Sequence, residues 1–169
     1  NALDAYVPKG YEVSPEMISN AYRKWYAEQG RLGLQDEPLY PGMVKLIHDL
    51  KSNKEFNIGV ATNKSRIALN NGLKKHNLNE VFDITLTMEE AKPKPDPDMA
   101  IQAMSKLNIE KKSTVIVGDT INDIGLGVNA GINSIGVAWG YNSIEMLKNE
   151  GADFIVKDSK ELFDTIINL

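Results

Sequence analysis

The 169-residue sequence predicts an α/β fold, a mainly parallel sheet flanked by helices. Three observations lead there. From residue 42 onward, short apolar runs such as Val115-Ile116-Val117 alternate with stretches of helical periodicity. The runs are continuously apolar rather than alternating, as strands covered on both faces are. Small polar residues, glycines and prolines gather just beyond the runs, and in parallel sheets ligands bind at the carboxyl ends of the strands.

The bulk composition bounds the problem. Hydrophobic residues at 42% and charged residues at 25% match an ordinary globular chain long enough for one core and a small appendage. A net charge of -4 argues against nucleic acid or an anionic membrane as the main partner. The absence of cysteine excludes disulfides, thiolate catalysis and Cys-based zinc sites, and fits a reducing, cytoplasmic setting. No apolar run is long enough to span a bilayer. Asn1 stands where a methionine would begin a chain, so a further segment is expected ahead of it.

Along the chain, residues 1–13 are mixed, with Pro8 and Gly10 breaking any regular pattern. A helix is expected from Ser14, with Ser14 as N-cap, Pro15 at its first position and Gly30 as its stop. Met17, Ile18, Ala21, Tyr22, Trp25 and Tyr26 share one face of it, which reads as core. Residues 31–40 read as a linker. Helices are then expected near 42–52, 65–76, 97–107, 121–130, 143–149 and 159–168. Strands are expected at 58–61, 82–86, 114–117, 134–138 and 154–156. Met43, Leu46, Ile47 and Leu50 mark the buried side of the helix at 42–52, and Ile101, Met104 and Leu107 that of the helix at 97–107.

Three segments just past strand ends carry chemistry. Thr62-Asn63-Lys64-Ser65 places a hydroxyl, an amide and free backbone N–H groups at a helix start, which suits a phosphate or oxyanion. The same residue types are preferred helix caps, so Thr62 or Asn63 as a plain cap is the competing reading. Ala91-Lys92-Pro93-Lys94-Pro95-Asp96-Pro97-Asp98 holds lysine on a loop stiffened by prolines, a fixed point charge for an anion. Its competitor is an exposed basic turn with Asp96 as N-cap and Pro97 at the first helical position. Gly118-Asp119-Thr120-Ile121-Asn122-Asp123 sets two carboxylates four residues apart at a strand-to-helix turn. All-oxygen ligands of this kind suit a hard cation such as Mg2+.

In order and spacing, Ala61-Thr62-Asn63-Lys64-Ser65, Lys92-Pro93-Lys94-Pro95 and Gly118-Asp119-Thr120-Ile121-Asn122-Asp123 resemble motifs two, three and four of the haloacid dehalogenase superfamily. Tyr40-Pro41-Gly42-Met43 looks like the return from a helical cap into the core. Asn129-Ala130-Gly131-Ile132 and Gly136-Val137-Ala138-Trp139-Gly140-Tyr141 resemble the phosphoglycolate-phosphatase branch. The resemblance implies a Rossmann-like core over 39–169 and a partial helical cap over 1–38. It further implies Mg2+-dependent hydrolysis of a small phosphorylated metabolite through an aspartyl-phosphate. Carried over by position, Thr62 with Asn63 would bind phosphoryl oxygens, and Lys92 would neutralise them, with Lys94 as the fallback if the register slips. Asp119 would bind Mg2+ directly, and Asp123 would hold the metal site through water or by orienting its neighbours.

The family's first motif, Asp-x-Asp-Gly-Thr, supplies its nucleophile and does not occur in these 169 residues. In the family, the strand that carries it lies between the strands preceding motifs two and four, so a slot is expected there. Three functions follow as expectations. The first is a phosphatase whose nucleophile lies outside this sequence. The second is an inactive phosphometabolite-binding or regulatory protein. The third is a sugar-phosphate mutase or pyrophosphatase of the same superfamily. His48 and His76 are expected on a polar helix face and at a helix end, without catalytic roles, and Trp139 and Tyr141 to serve in packing.

Overall fold

The structure, a computed structural model, describes residues 38–169 together with Ser14, Met17, Asn20, Ala21, Lys24, Trp25 and Glu28. The chain divides into two compact units, Asn1–Pro38 and Leu39–Leu169. In the first, Met17, Asn20, Ala21, Lys24, Trp25 and Glu28 are helical. Ser14 Oγ accepts the Met17 N–H at 3.1 Å, the capping bond expected of it. Met17 and Trp25 are 58% and 57% exposed and Ala21 is exposed as well, which overturns the core reading for those three. Periodicity puts residues on one face but does not say what covers it. The rest of that reading, Pro15, Ile18, Tyr22, Tyr26 and Gly30, lies outside the described residues, as do residues 1–13 and 31–37.

The second unit alternates helix and strand as its periodicity dictates. Its helices are α1 (Met43–Ser52), α2 (Arg66–Lys75), α3 (Asp98–Leu107), α4 (Ile121–Ala130), α5 (Ile144–Glu150) and α6 (Ser159–Ile167). Its strands are β1 (Gly59–Thr62), β2 (Ile84–Thr87), β3 (Val115–Gly118), β4 (Asn133–Val137) and β5 (Phe154–Val156). The second strand begins later than the sequence suggests. Asp83 is diverted before it: its N–H donates to Ile58 O at 2.8 Å, and its carboxylate accepts from Ile58 N–H at 2.9 Å and from Lys51 Nζ. Helix α3 also begins one residue late, at Asp98, with Pro97 as N-cap and no side-chain cap bond. Its buried residues are Met99, Ala100 and Met104, whereas Ile101 is exposed, because the helix is rotated from the expected face.

All strand pairs are parallel, but they form two sheets. One pairs β1 with β2, Gly59 opposite Ile84 through Thr62 opposite Thr87. The other runs β3-β4-β5, with Val115 opposite Asn133 and Ile135 opposite Phe154. Among the described residues no strand joins β1 to β3. Ser134–Val137 in β4 are buried, while every residue of β3 is only half-buried, as a strand with one open edge should be.

Two apolar clusters hold these elements. Leu86, Met99, Ala100, Met104, Leu126 and Ala130 form one, and Ala61 of β1 and Ile116 of β3 both pack against it, so the two sheets share a core face. Leu46 and Leu50 of α1 join Ile135, Val137, Val156 and Leu162 in the other. Fully burying an aliphatic side chain of this size stabilises by about 1.5–3 kcal/mol. Ahead of α1, Gly42 adopts φ +82°, and a Cβ there would sit 2.3 Å from Ser159 Oγ at the start of α6. Glycine is required at that turn on both counts.

Candidate active site

The carboxyl ends of β1 and β3, with the loop that leads into α3, bring the predicted segments together. Lys94 is the residue that joins them. Its Nζ donates to Ala61 O at 2.9 Å and to Asp123 Oδ1 at 2.5 Å. The two side chains are 13% and 8% exposed, so this ion pair is screened far less than a surface pair. Lys92, the lysine expected first, points elsewhere: its side chain is 73% exposed and its Nζ lies 3.7 Å from Asp96 Oδ2. The lysine in the crevice is therefore the fallback. Local bonds set this register, since the Lys92 N–H is held by Asp98 Oδ2 at 3.0 Å and the Lys94 backbone by Asn63.

Neither Thr62 nor Asn63 caps the following helix. Ser65 does, its Oγ accepting the Ala68 N–H at 3.2 Å. Thr62 Oγ1 accepts the Lys64 N–H at 3.2 Å, which leaves its hydroxyl proton to donate. Asn63 is not arranged for phosphate: its Oδ1 accepts the Lys94 N–H at 2.8 Å and its Nδ2 donates to Lys94 O at 3.1 Å. Both ends of the amide are engaged by the backbone of one residue, Lys94.

The two carboxylates differ. Asp123 completes a capping box on α4, its Oδ2 accepting from Thr120 N–H at 3.0 Å and Thr120 Oγ1 at 2.6 Å. With Lys94 on its other oxygen, Asp123 ties the start of α4 to the lysine loop. Asp119 does not cap. Its Oδ2 accepts the Tyr141 N–H at 2.9 Å, and its Oδ1 carries no hydrogen bond among the described residues. Two glycines make room for these side chains. A Cβ on Gly118 would lie 2.1 Å from Asp123 Cβ, and one on Gly140 would lie 2.0 Å from Asp119 Cβ.

The family of haloacid dehalogenase-like hydrolases matches residues 5–137. The chain belongs to that family. Pyrophosphatase PpaX of Bacillus velezensis is 31% identical over 154 residues, covering 89% of this chain and 68% of that relative. The structure of a predicted phosphatase from Clostridium acetobutylicum superposes with a TM-score of 0.69 at 32% identity, over 77% of this chain and 60% of that one. A predicted phosphoglycolate phosphatase from Haemophilus somnus 129pt shares the fold, with a TM-score of 0.78 at 22% identity over 91% of this chain and 68% of that one. This haloacid dehalogenase-like chain thus spans about two thirds of the length of the relatives it matches.

Phosphatases of this kind imply a divalent cation, and the donor set tests whether one fits. Among the described residues no three His, Cys, Asp or Glu side chains cluster as a metal site. Asp119 follows the carboxyl end of β3, and its Oδ1 carries no hydrogen bond among the described residues. That suits Mg2+, which takes one or two carboxylates and keeps several waters. No described helix is long and apolar enough to cross a membrane.

Sequence reasoning missed several polar contacts that hold the elements of this haloacid dehalogenase-like chain in place. The Thr120…Asp123 capping box was readable as Thr-x-x-acid ahead of an apolar run. Asn142, whose Oδ1 accepts the Ile121 N–H at 2.9 Å, left no local signal, and Asn129 stood only in the stretch that carries the resemblance, with nothing to mark its bond to Pro95 O. Arg66 escaped too. Its guanidinium donates Nε to Glu90 Oε1 at 3.0 Å, Nη2 to Glu90 Oε2 at 2.8 Å and Nη1 to Thr85 Oγ1 at 2.7 Å, pinning the start of α2 to β2. Thr87, fully buried, donates its hydroxyl to Glu90 at 2.6 Å. Arg66 first, then Thr87, hold the Glu90 carboxyl down at about 2. Trp139 packs on the second core cluster as expected. Tyr141 does not pack; its residue is 88% exposed although its backbone is tied to Asp119.

Proposed function

We propose that this protein is a Mg2+-dependent phosphatase acting on a small phosphorylated metabolite of the phosphoglycolate type, with residues 1–38 part of a helical cap. The observation that carries the reading is the Lys94 ammonium, which draws Ala61 at the end of β1 and Asp123 just past β3 to one point. A lysine so held keeps one N–H direction for an incoming phosphoryl oxygen. Thr62, at the end of β1, donates its hydroxyl to a second phosphoryl oxygen. Asp119 Oδ1 would hold the cation, which when bound supplies charge neutralisation at the transferring group. Asp123 fixes Lys94 and the start of α4. Asn63, expected among the phosphate ligands, acts instead on Lys94.

The nucleophile belongs to an aspartate outside these 169 residues, on a strand between β1 and β3. Support comes from the split sheet, since both flanking strands have an edge without a described partner. The carboxylate oxygen forms a bond to phosphorus as the ester P–O bond breaks and the leaving alkoxide takes a proton. Water then cleaves the acyl phosphate, restoring the carboxylate and releasing orthophosphate. The name of the Bacillus velezensis relative favours inorganic pyrophosphate as a second substrate class. The test is turnover of p-nitrophenyl phosphate, phosphoglycolate and pyrophosphate by the intact protein with and without Mg2+. Mg2+-dependent release of orthophosphate that disappears in Asp119→Ala is expected. Activity indifferent to that substitution overturns the cation role of Asp119, and no turnover of any of the three substrates overturns the phosphatase reading in favour of a binding role.

A further inference from the structure

We infer that Asn63 and Asn129 are positioning residues for Lys94, holding the Lys94-Pro95 backbone from two sides without touching substrate; the inference rests on the phosphatase reading of the crevice. Asn63 pairs with Lys94 as a neighbouring strand would, its Oδ1 accepting the Lys94 N–H at 2.8 Å and its Nδ2 donating to Lys94 O at 3.1 Å. The next carbonyl, Pro95 O, accepts from Asn129 Nδ2 at 3.0 Å. Pro95 is also pressed on α4, where a Cβ at Gly125 would meet its ring carbon at 2.9 Å. Asn63 follows β1 of one sheet. Asn129 belongs to α4, which follows β3 of the other. The lysine loop is thus clasped once from each half of the split sheet.

The need for a clasp follows from the side chain. Lysine has four rotatable side-chain bonds, so an ammonium is placed well only if its backbone is fixed. Asn63 is exposed, and its two bonds contribute orientation more than burial. Misplacing a catalytic group by about an ångström costs on the order of a hundredfold in rate.

The experiment uses the intact protein with 15N-labelled lysine and the variants Asn63→Ala, Asn63→Asp and Asn129→Ala. The Lys94 ammonium resonance is assigned by its disappearance in Lys94→Met. Asn63→Ala and Asn129→Ala are expected to shift or broaden that resonance while the others stay. With p-nitrophenyl phosphate, kcat should fall roughly 10- to 100-fold in Asn63→Ala, with KM changed by less than about threefold. Asn63→Asp can still accept from the Lys94 N–H but cannot donate to its carbonyl, so it should fall between and also answers for any misfolding of the alanine variant. A Lys94 resonance unmoved in folded variants overturns the inference. So does a raised KM at unchanged kcat, the mark of an amide that touches phosphate. A moved resonance in a protein with no turnover supports the clasp and sinks the phosphatase reading instead.

Discussion

Gly118 lies so close beneath Asp123 that a methyl group on it would stand 2.1 Å from the Asp123 Cβ. The obstacle would be the first carbon of a side chain locked at both oxygens, not the free end of a flexible one. Gly118→Ala should therefore break the capping box and the Lys94 pair together, lowering stability by about 3 kcal/mol. Urea denaturation checks this; a loss below about 0.5 kcal/mol, the usual range of a surface substitution, would refute it.

Lys94 and Lys92 should separate sharply on substitution. Lys94→Met leaves the Asp123 carboxylate, 8% exposed, without its cation, and should cost about 3 kcal/mol of folding stability. Lys92→Met, at a side chain 73% exposed, should stay within about 0.5 kcal/mol. Equal effects in thermal unfolding would contradict the lysine register described above.

Acid should act through Glu90. Its folded pKa is held at about 2 against 4.5 for the free group, chiefly by the Arg66 guanidinium. A depressed carboxylate contributes its full stabilisation above the unfolded value and loses it as pH falls from there toward the folded one. The stability gap between the wild type and Glu90→Gln should thus narrow as pH drops from about 4.5 to about 2. Urea midpoints measured across that window give the answer, and a gap independent of pH would show that the Arg66 contact is not what sets it.

Asp119→Asn tests the cation. The amide oxygen can still accept the Tyr141 N–H, so folding should be unchanged, whereas Mg2+ affinity should weaken by at least about tenfold. Calorimetric titration with Mg2+ measures it directly, apart from any assay of turnover.

Much of this was legible in the residues. Continuous apolar runs and helical spacing located every strand and α-helix of residues 39–169 to within about two residues, because both signals are local, and missed only the short 3-10 turn Lys111–Ser113. The strand at 84–87 slipped because Asp83 answers to Ile58 and Lys51, distant in sequence. The choice between Lys92 and Lys94 was not legible for a related reason. Lys-Pro-Lys-Pro-Asp-Pro offers two equivalent registers along the chain, and the clasp by Asn63 and Asn129 that selects one exists only in three dimensions. Ser65 as the cap of α2, which removes Thr62 from that duty, depends on where the strand stops rather than on residue preference.

The contact of Gly42 with Ser159 has a bearing on how this unit is made. The turn that opens the unit is shaped to receive the first residue of its closing helix, and Leu162 completes a cluster that Leu46 begins. A ribosome therefore releases Leu46 more than a hundred residues before Leu162. Until α6 emerges, the cluster that Leu46 and Leu50 share with Ile135, Val137 and Val156 lacks its last buried member, and apolar surface stays open to aggregation.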